Sequence, residues 1–150
     1  MNLISQGSLY STQVDFKNAF VQAPLERPMY MTLPPGLADQ PQYQDKVLKL
    51  KRSLYGHKYA AKLFYELIRK VLVERMGFRV SNHDHCLFLW EDCIIITWVD
   101  DAIIITKEEG KANAIIEEMQ KHELDLDKQG EGGLADYLGI NNNHLDKSLM

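Results

Sequence analysis

Hydrophobic and polar positions repeat with two different periods along this chain, and the change of period marks out its elements. From Cys93 to Thr106 the order is C-I-I-I-T-W-V-D-D-A-I-I-I-T. Isoleucine and threonine fit a pleated, half-buried surface, so the runs Ile94–Thr97 and Ile103–Thr106 around a short break predict a β-hairpin. Leu87–Trp90 and Cys93–Thr97 predict a second hairpin, closed by Glu91-Asp92 and pairing 90 with 93, 88 with 95 and 86 with 97. Val47–Lys51 alternates Leu48 and Leu50 with Lys49 and Lys51, a half-buried strand with a basic outer face. Gln13–Phe16 and Pro28–Leu33 read as further strands, and Pro34-Pro35-Gly36 as a turn.

The period then lengthens. Between Ala60 and Met76 the residues Leu63, Phe64, Leu67, Ile68, Val71 and Leu72 fall on one helical stripe, with Gly77 where a C-terminal cap belongs. Glu108 to about His122 predicts a second amphipathic helix with Ala112, Ile115, Ile116 and Met119 inward. Lys17–Val21 reads as a turn or short helix ended by Pro24, and Ala38–Lys46 as an exposed loop. Gly130-Glu131-Gly132-Gly133 reads as a break before a last short strand, Leu134–Ile140.

Composition narrows the class. A chain of 150 residues, 45% hydrophobic and 25% charged, suits one globular domain. No apolar run approaches the roughly 20 residues that span a bilayer, and no secretory signal is visible. Two cysteines make no disulfide framework, so the expected location is intracellular, not secreted. The formal net charge of −4 argues against a nucleic-acid partner only when read globally. Residues 46–75 carry nine Lys/Arg against two Glu, a local +7, whereas 107–150 carry five Lys against ten Asp/Glu. A basic middle suits phosphate contacts and equally suits a solvated helix face.

The chemistry sits with the aspartates. Asp100 and Asp101 lie between apolar strands, and an unpaired buried charge is costly, so they must face water or a cation. An acidic turn is the plain alternative, and for Asp15 the plain alternative is a helix cap. His83, His85, Cys86 and Cys93 invite a zinc reading. The hairpin register offsets the two cysteines along their strands, which argues against it.

Five segments in order resemble copia-type retrotransposon reverse transcriptases. They are Q-V-D-F-K-N-A-F (Gln13–Phe20), M-Y-M-T-L-P-P-G-L (Met29–Leu37), L-K-L-K-R-S-L-Y-G (Leu48–Gly56), the W-V-D-D tip (Trp98–Asp101) and D-Y-L-G-I (Asp136–Ile140). The resemblance covers residues 12–140 and implies an α+β fold. Its expected form is a polymerase palm-like antiparallel sheet flanked by helices, with incomplete fingers, no thumb, and loose termini at 1–11 and 141–150. It implies RNA-directed DNA polymerase activity, a nucleotidyltransferase joining dNTP to the 3′-hydroxyl of a primer on an RNA or DNA template. Asp15, Asp100 and Asp101 would be catalytic, holding two Mg²⁺ ions, with Mn²⁺ as a substitute. Phe20 would discriminate against a 2′-hydroxyl. Tyr55 and Gly56 would meet the incoming nucleotide, and Lys58 and Trp98 the nucleic acid.

The chain departs from the family where leucine, glutamine, proline and arginine are usual, with His57, Tyr59, Ala61 and Lys62 there instead, and Trp98 replaces a tyrosine. Fingers, thumb and RNase H regions of the parent polyprotein would be partners outside this sequence. The expected setting is a cytoplasmic virus-like particle or the nucleus, with no membrane. A catalytically inactive retrotransposon remnant that at most binds nucleic acid is the second reading. A different two-metal enzyme, such as a nuclease, is the third.

Overall fold

The computed structural model describes residues 9–132. In chain order they form β1 (Tyr10–Phe16), α1 (Ala19–Gln22), β2 (Pro24–Met31), β3 (Leu48–Arg52), α2 (Ala60–Arg69) and β4 (Arg79–Val80). Then follow β5 (Leu87–Trp90), β6 (Cys93–Trp98), β7 (Asp101–Thr106), α3 (Lys111–Lys121) and β8 (Leu126–Gly132). Three α-helices and eight strands, paired antiparallel throughout, make the described residues a mixed α+β structure. They divide into two compact units, one holding β1 and the chain from Ile68 onward, the other Asn18–Leu67.

The first unit is built on a six-stranded sheet in the order β4-β5-β6-β7-β1-β8. One face is a dry core. Val14 and Phe16 of β1, Ala102 and Ile104 of β7, Cys93 and Ile95 of β6, and Phe88 of β5 are all buried. Ala112, Ile115, Ile116 and Met119 of α3 are buried too, the stripe the sequence predicts. Each isoleucine or phenylalanine so covered contributes about 1.5–3 kcal/mol relative to exposure. On the β5–β6 hairpin the predicted register holds: Trp90 opposes Cys93, Phe88 opposes Ile95, and the Thr97 N–H donates to the Cys86 carbonyl at 2.9 Å.

Several boundaries differ from the sequence expectation, each for a local reason. β1 begins at Tyr10, inside the stretch expected to be loose, because β7 offers partners as far as Thr106. The expected break at Gly130–Gly132 is strand: β1 pairs with it through a register shift between Gln13 and Val14, so pairing overrides poor strand propensity. α3 starts at Lys111 because Gly110 occupies its N-cap in the left-handed region, φ 79°. The helix from Ala60 runs as α only to Arg69 and as π from Lys70 to Arg75, before Gly77 ends it at φ 79°. The strand expected at Leu134–Ile140 and the Asp136–Ile140 motif lie outside the described residues.

The second unit contains the β2–β3 hairpin, with Tyr30 opposite Lys49 and Met29 opposite Leu50. β2 starts at Pro24, earlier than Pro28, and an irregularity between Pro24 and Met29 accommodates its prolines. Leu48 and Leu50 are half-buried while Lys49 and Lys51 are exposed, the alternation seen in the sequence. The Ser53 N–H donates to the Ala23 carbonyl at 3.0 Å, and the Arg52 guanidinium donates to the Gln22 carbonyl, tying the hairpin to α1.

Candidate active site

Two strands and one turn bring the predicted carboxylates together. Trp98 opposes Asp101, so the turn between β6 and β7 is only Val99 and Asp100. Asp101 is therefore the first residue of β7, and not part of a four-residue tip. Val99 sits at φ 56°, an unfavourable conformation for a β-branched side chain. Asp15 lies in β1, an interior strand between β7 and β8, with Asp101 as its direct partner. The Phe16 N–H donates to the Asp100 carbonyl at 2.7 Å. In the antiparallel alternation this makes Asp15 and Asp101 a non-hydrogen-bonded pair, with Cα atoms about 4.5 Å apart and side chains on one face. Asp15 is no helix cap, because the N-cap of α1 is Asn18.

The charges feel one another. Burial pushes the Asp101 carboxyl above the ordinary carboxylate range, and the negative charges of Asp100 and Asp15 push it the same way. A divalent cation relieves such crowding, and oxygen ligands are what Mg²⁺ takes. As placed, no three His, Cys, Asp or Glu side chains among the described residues stand gathered around one point. Like charges do not draw together unaided, and Mg²⁺ characteristically completes its shell with water and substrate phosphate. The donor set therefore fits the metal chemically, without forming a ready-made cage.

The row of acids is longer than the sequence suggested. On its other side Asp15 opposes Asp127 of β8, so Asp101, Asp15 and Asp127 occupy one row across three strands. The Lys17 ammonium sits 2.7 Å from Asp127 and 3.9 Å from Asp125. The Asp127 hydrogen bond leads in pushing the lysine pKa up, with Asp125 and Asp15 adding to it. The alternation Leu124-Asp125-Leu126-Asp127, with both leucines buried, is the signal that could have found this strand.

Trp98 is 58% exposed at the end of β6, in the same row as Asp101. Within the second unit, Phe20 is half-buried, with its ring 4.7 Å from Tyr55 and 6.4 Å, edge-on, from Phe64. Tyr55 is exposed. Gly56 adopts φ 83°, and a Cβ there would meet nothing within 4 Å, so backbone conformation and not packing calls for glycine. The Lys58 ammonium lies 5.6 Å from the Tyr59 ring centre. Tyr30, Tyr55 and Tyr59 are exposed among the exposed cations Lys49, Lys51, Lys58 and Lys62.

Cys93 is buried on the core face, and burial pushes its thiol up to about 12. Such a thiol is a poor metal ligand at neutral pH, which agrees with the offset of the two cysteines in disfavouring zinc.

Residues 3–147 match the family described as reverse transcriptase (RNA-dependent DNA polymerase). The chain belongs to the copia-type reverse transcriptase family. Its relatives include the transposon Ty1-DR4 Gag-Pol polyprotein of Saccharomyces cerevisiae, 29% identical over 120 residues, or 80% of this chain and 7% of that protein. The Ty1-DR1 Gag-Pol polyprotein of the same yeast is 29% identical over 133 residues, covering 88% of this chain and 7% of its own length. A truncated Ty1-A Gag-Pol polyprotein is 30% identical over 121 residues, 81% of this chain and 10% of its own. This reverse transcriptase sequence thus spans a tenth or less of those relatives' length. No helix among the described residues is long and apolar enough to cross a membrane.

Proposed function

We propose that this chain is the palm core, over residues 12–140, of an RNA-directed DNA polymerase that joins a deoxynucleotide to a primer 3′-hydroxyl. The observation that carries the reading is the pairing of Asp15 with Asp101, one residue from Asp100, in a chain of the reverse transcriptase family. Asp15, Asp100 and Asp101 would hold the divalent metal, Mg²⁺ or its substitute Mn²⁺. When bound, the metal supplies charge stabilisation to the attacking and leaving oxygens of an in-line displacement. The chain's own share is positioning. The backbone bond between Phe16 and Asp100 and the antiparallel pairing hold the carboxylates on rigid strands.

The exposed cations and tyrosines of the second unit favour a nucleic-acid partner, since lysines meet phosphates and aromatic faces stack on bases. In this reading Lys58 of the second unit contacts template or primer, and Trp98, at the hairpin end of the first unit, is a nucleic-acid contact in its own right. Tyr55 and Gly56 meet the dNTP, and Phe20 excludes a 2′-hydroxyl. An intracellular setting, cytoplasmic or nuclear, follows from the retrotransposon relationship.

The test is primer extension on an RNA template by a reverse transcriptase polypeptide that contains this chain, beside its Asp100→Asn variant. Asp100→Asn is expected to lower extension by at least about 10²-fold, in the range lost when a principal electrostatic group is removed. Unchanged product would sink the assignment of Asp100. In the same assay Phe20→Val is expected to raise rNTP use relative to dNTP use, and a constant ratio would leave Phe20 a packing residue.

A further inference from the structure

We propose that Lys17 is a positioning residue that closes the carboxylate row at its β8 end, confining cation binding to the side of Asp15 that carries Asp100 and Asp101. The inference rests on the metal-binding role proposed above for those aspartates.

Asp15 has an aspartate directly opposite it on each side, Asp101 in β7 and Asp127 in β8. Directly opposed residues of antiparallel strands share a face at about 4.5–5.5 Å between Cα atoms, so the row offers a cation two adjoining places around Asp15. Only one is left open. The Lys17 ammonium stands 2.7 Å from the Asp127 carboxylate, and the Lys17 N–H donates to the Asp125 carbonyl at 3.0 Å, which fixes the base of the side chain beside β8.

Lys17 and Asp127 are partly exposed, with side-chain exposures of 43% and 58%. Exposed ion pairs add little to stability, typically under about 1 kcal/mol. The consequence of the pair lies in charge placement: with Asp127 matched by an ammonium, the unmatched negative charge falls on the Asp101 side. Asp15 is thereby committed to one neighbour as a metal ligand instead of being shared between two.

The test is Mn²⁺ titration of the full 150-residue chain, with free Mn²⁺ read by its electron paramagnetic resonance signal. The proteins are the parent, Lys17→Met, Lys17→Arg, Asp127→Asn, Lys17→Met with Asp127→Asn, and Asp100→Asn. Lys17→Met is expected to bind one further Mn²⁺ beyond the parent. That gain should vanish when Asp127→Asn is added, and Lys17→Arg should match the parent. Circular dichroism checks each fold, and Lys17→Gln replaces Lys17→Met if the latter unfolds. Stoichiometry and affinity in Lys17→Met equal to the parent's would overturn the proposal, as would a gain that survives Asp127→Asn. If the parent binds no Mn²⁺ while Lys17→Met binds it through Asp127, the closing role of Lys17 stands and the metal role of Asp15, Asp100 and Asp101 falls. If neither protein binds Mn²⁺, both are overturned.

Discussion

At the scale of single residues, the distinctive fact is a carboxyl whose ionisation is opposed by its own neighbourhood. Asp101 is pushed up by burial first, then by Asp100 and Asp15. Its charged form is therefore less favourable in the folded chain than in the unfolded one. The destabilisation is absent below the unfolded value, near 3.8, and grows as pH rises through the raised folded value. Asp101→Asn removes that charge, so at pH 7 its Tm is expected above the parent's, with the difference fading as pH falls toward 4. Saturating Mg²⁺ should raise the parent's Tm and move the variant's much less. Thermal melts across pH, with and without Mg²⁺, check both; equal melting at pH 7 would mean the repulsion is screened away.

Asp100 and Asp101 stood out in the sequence because two carboxylates between apolar runs cannot sit in the core and must meet water or a cation, whereas Asp15 was singled out over a helix cap by the resemblance to reverse transcriptases. Lys17 and Asp127 did not stand out. A residue becomes interesting there only once β8 is known to lie beside β1, and no local pattern states which strands are neighbours.

At the scale of elements, the β6–β7 hairpin carries its own strain. A two-residue connection of antiparallel strands needs left-handed backbone, which glycine and asparagine supply cheaply, yet Val99 occupies it at φ 56°. Such a conformation costs on the order of 1–3 kcal/mol for a residue with a Cβ. Val99→Asn, which tolerates that region, is expected to stabilise the chain by about 1 kcal/mol. Urea unfolding would register this as a higher midpoint at unchanged slope. A lower midpoint would mean that the exposed valine makes contacts worth more than the strain.

Hairpins and helix stripes could be read from the sequence because their signals are local: Glu91-Asp92 between two apolar runs, Gly77 after a stripe of six apolar residues. The π-helical stretch Lys70–Arg75 could not, and of the strand Leu126–Gly132 only the start could, through the alternation Leu124-Asp125-Leu126-Asp127. The first keeps the same apolar residues buried at a different pitch, and the second is rich in charge and glycine and exists through its pairing with β1.

At the scale of the whole molecule, metal ligands are only part of what polymerisation requires. The triphosphate must be held in line and the duplex gripped, and positioning of that kind accounts for up to about 7–11 kcal/mol of barrier reduction. The yeast relatives are ten or more times longer than the region they share with this chain. The 150-residue chain by itself is therefore expected to give no Asp100-dependent primer extension, while binding nucleic acid weakly through its basic stretch, net +7 over residues 46–75. That binding should weaken as salt rises, since phosphate contacts release counterions. Extension assays and filter binding at two salt concentrations check the two halves; Asp100-dependent product from the chain alone would show that these residues suffice.

The place of β1 in the sheet carries a consequence for biosynthesis. Asp15 leaves the ribosome well before β7 and β8, the two strands that flank its own and are made near the end of the described chain. Until β7 and β8 are made, the nascent chain must carry an unpaired strand, acidic at its end and apolar on one face. Closing a loop that long before any contact rewards it makes for slow folding and an exposed edge. A ribosome that stops before Leu126 releases a polypeptide holding all three aspartates and lacking the strand that covers one flank of the first. In a polypeptide cut short there, the carboxylates thus persist in the sequence after the pairing that flanks Asp15 with Asp127 is gone.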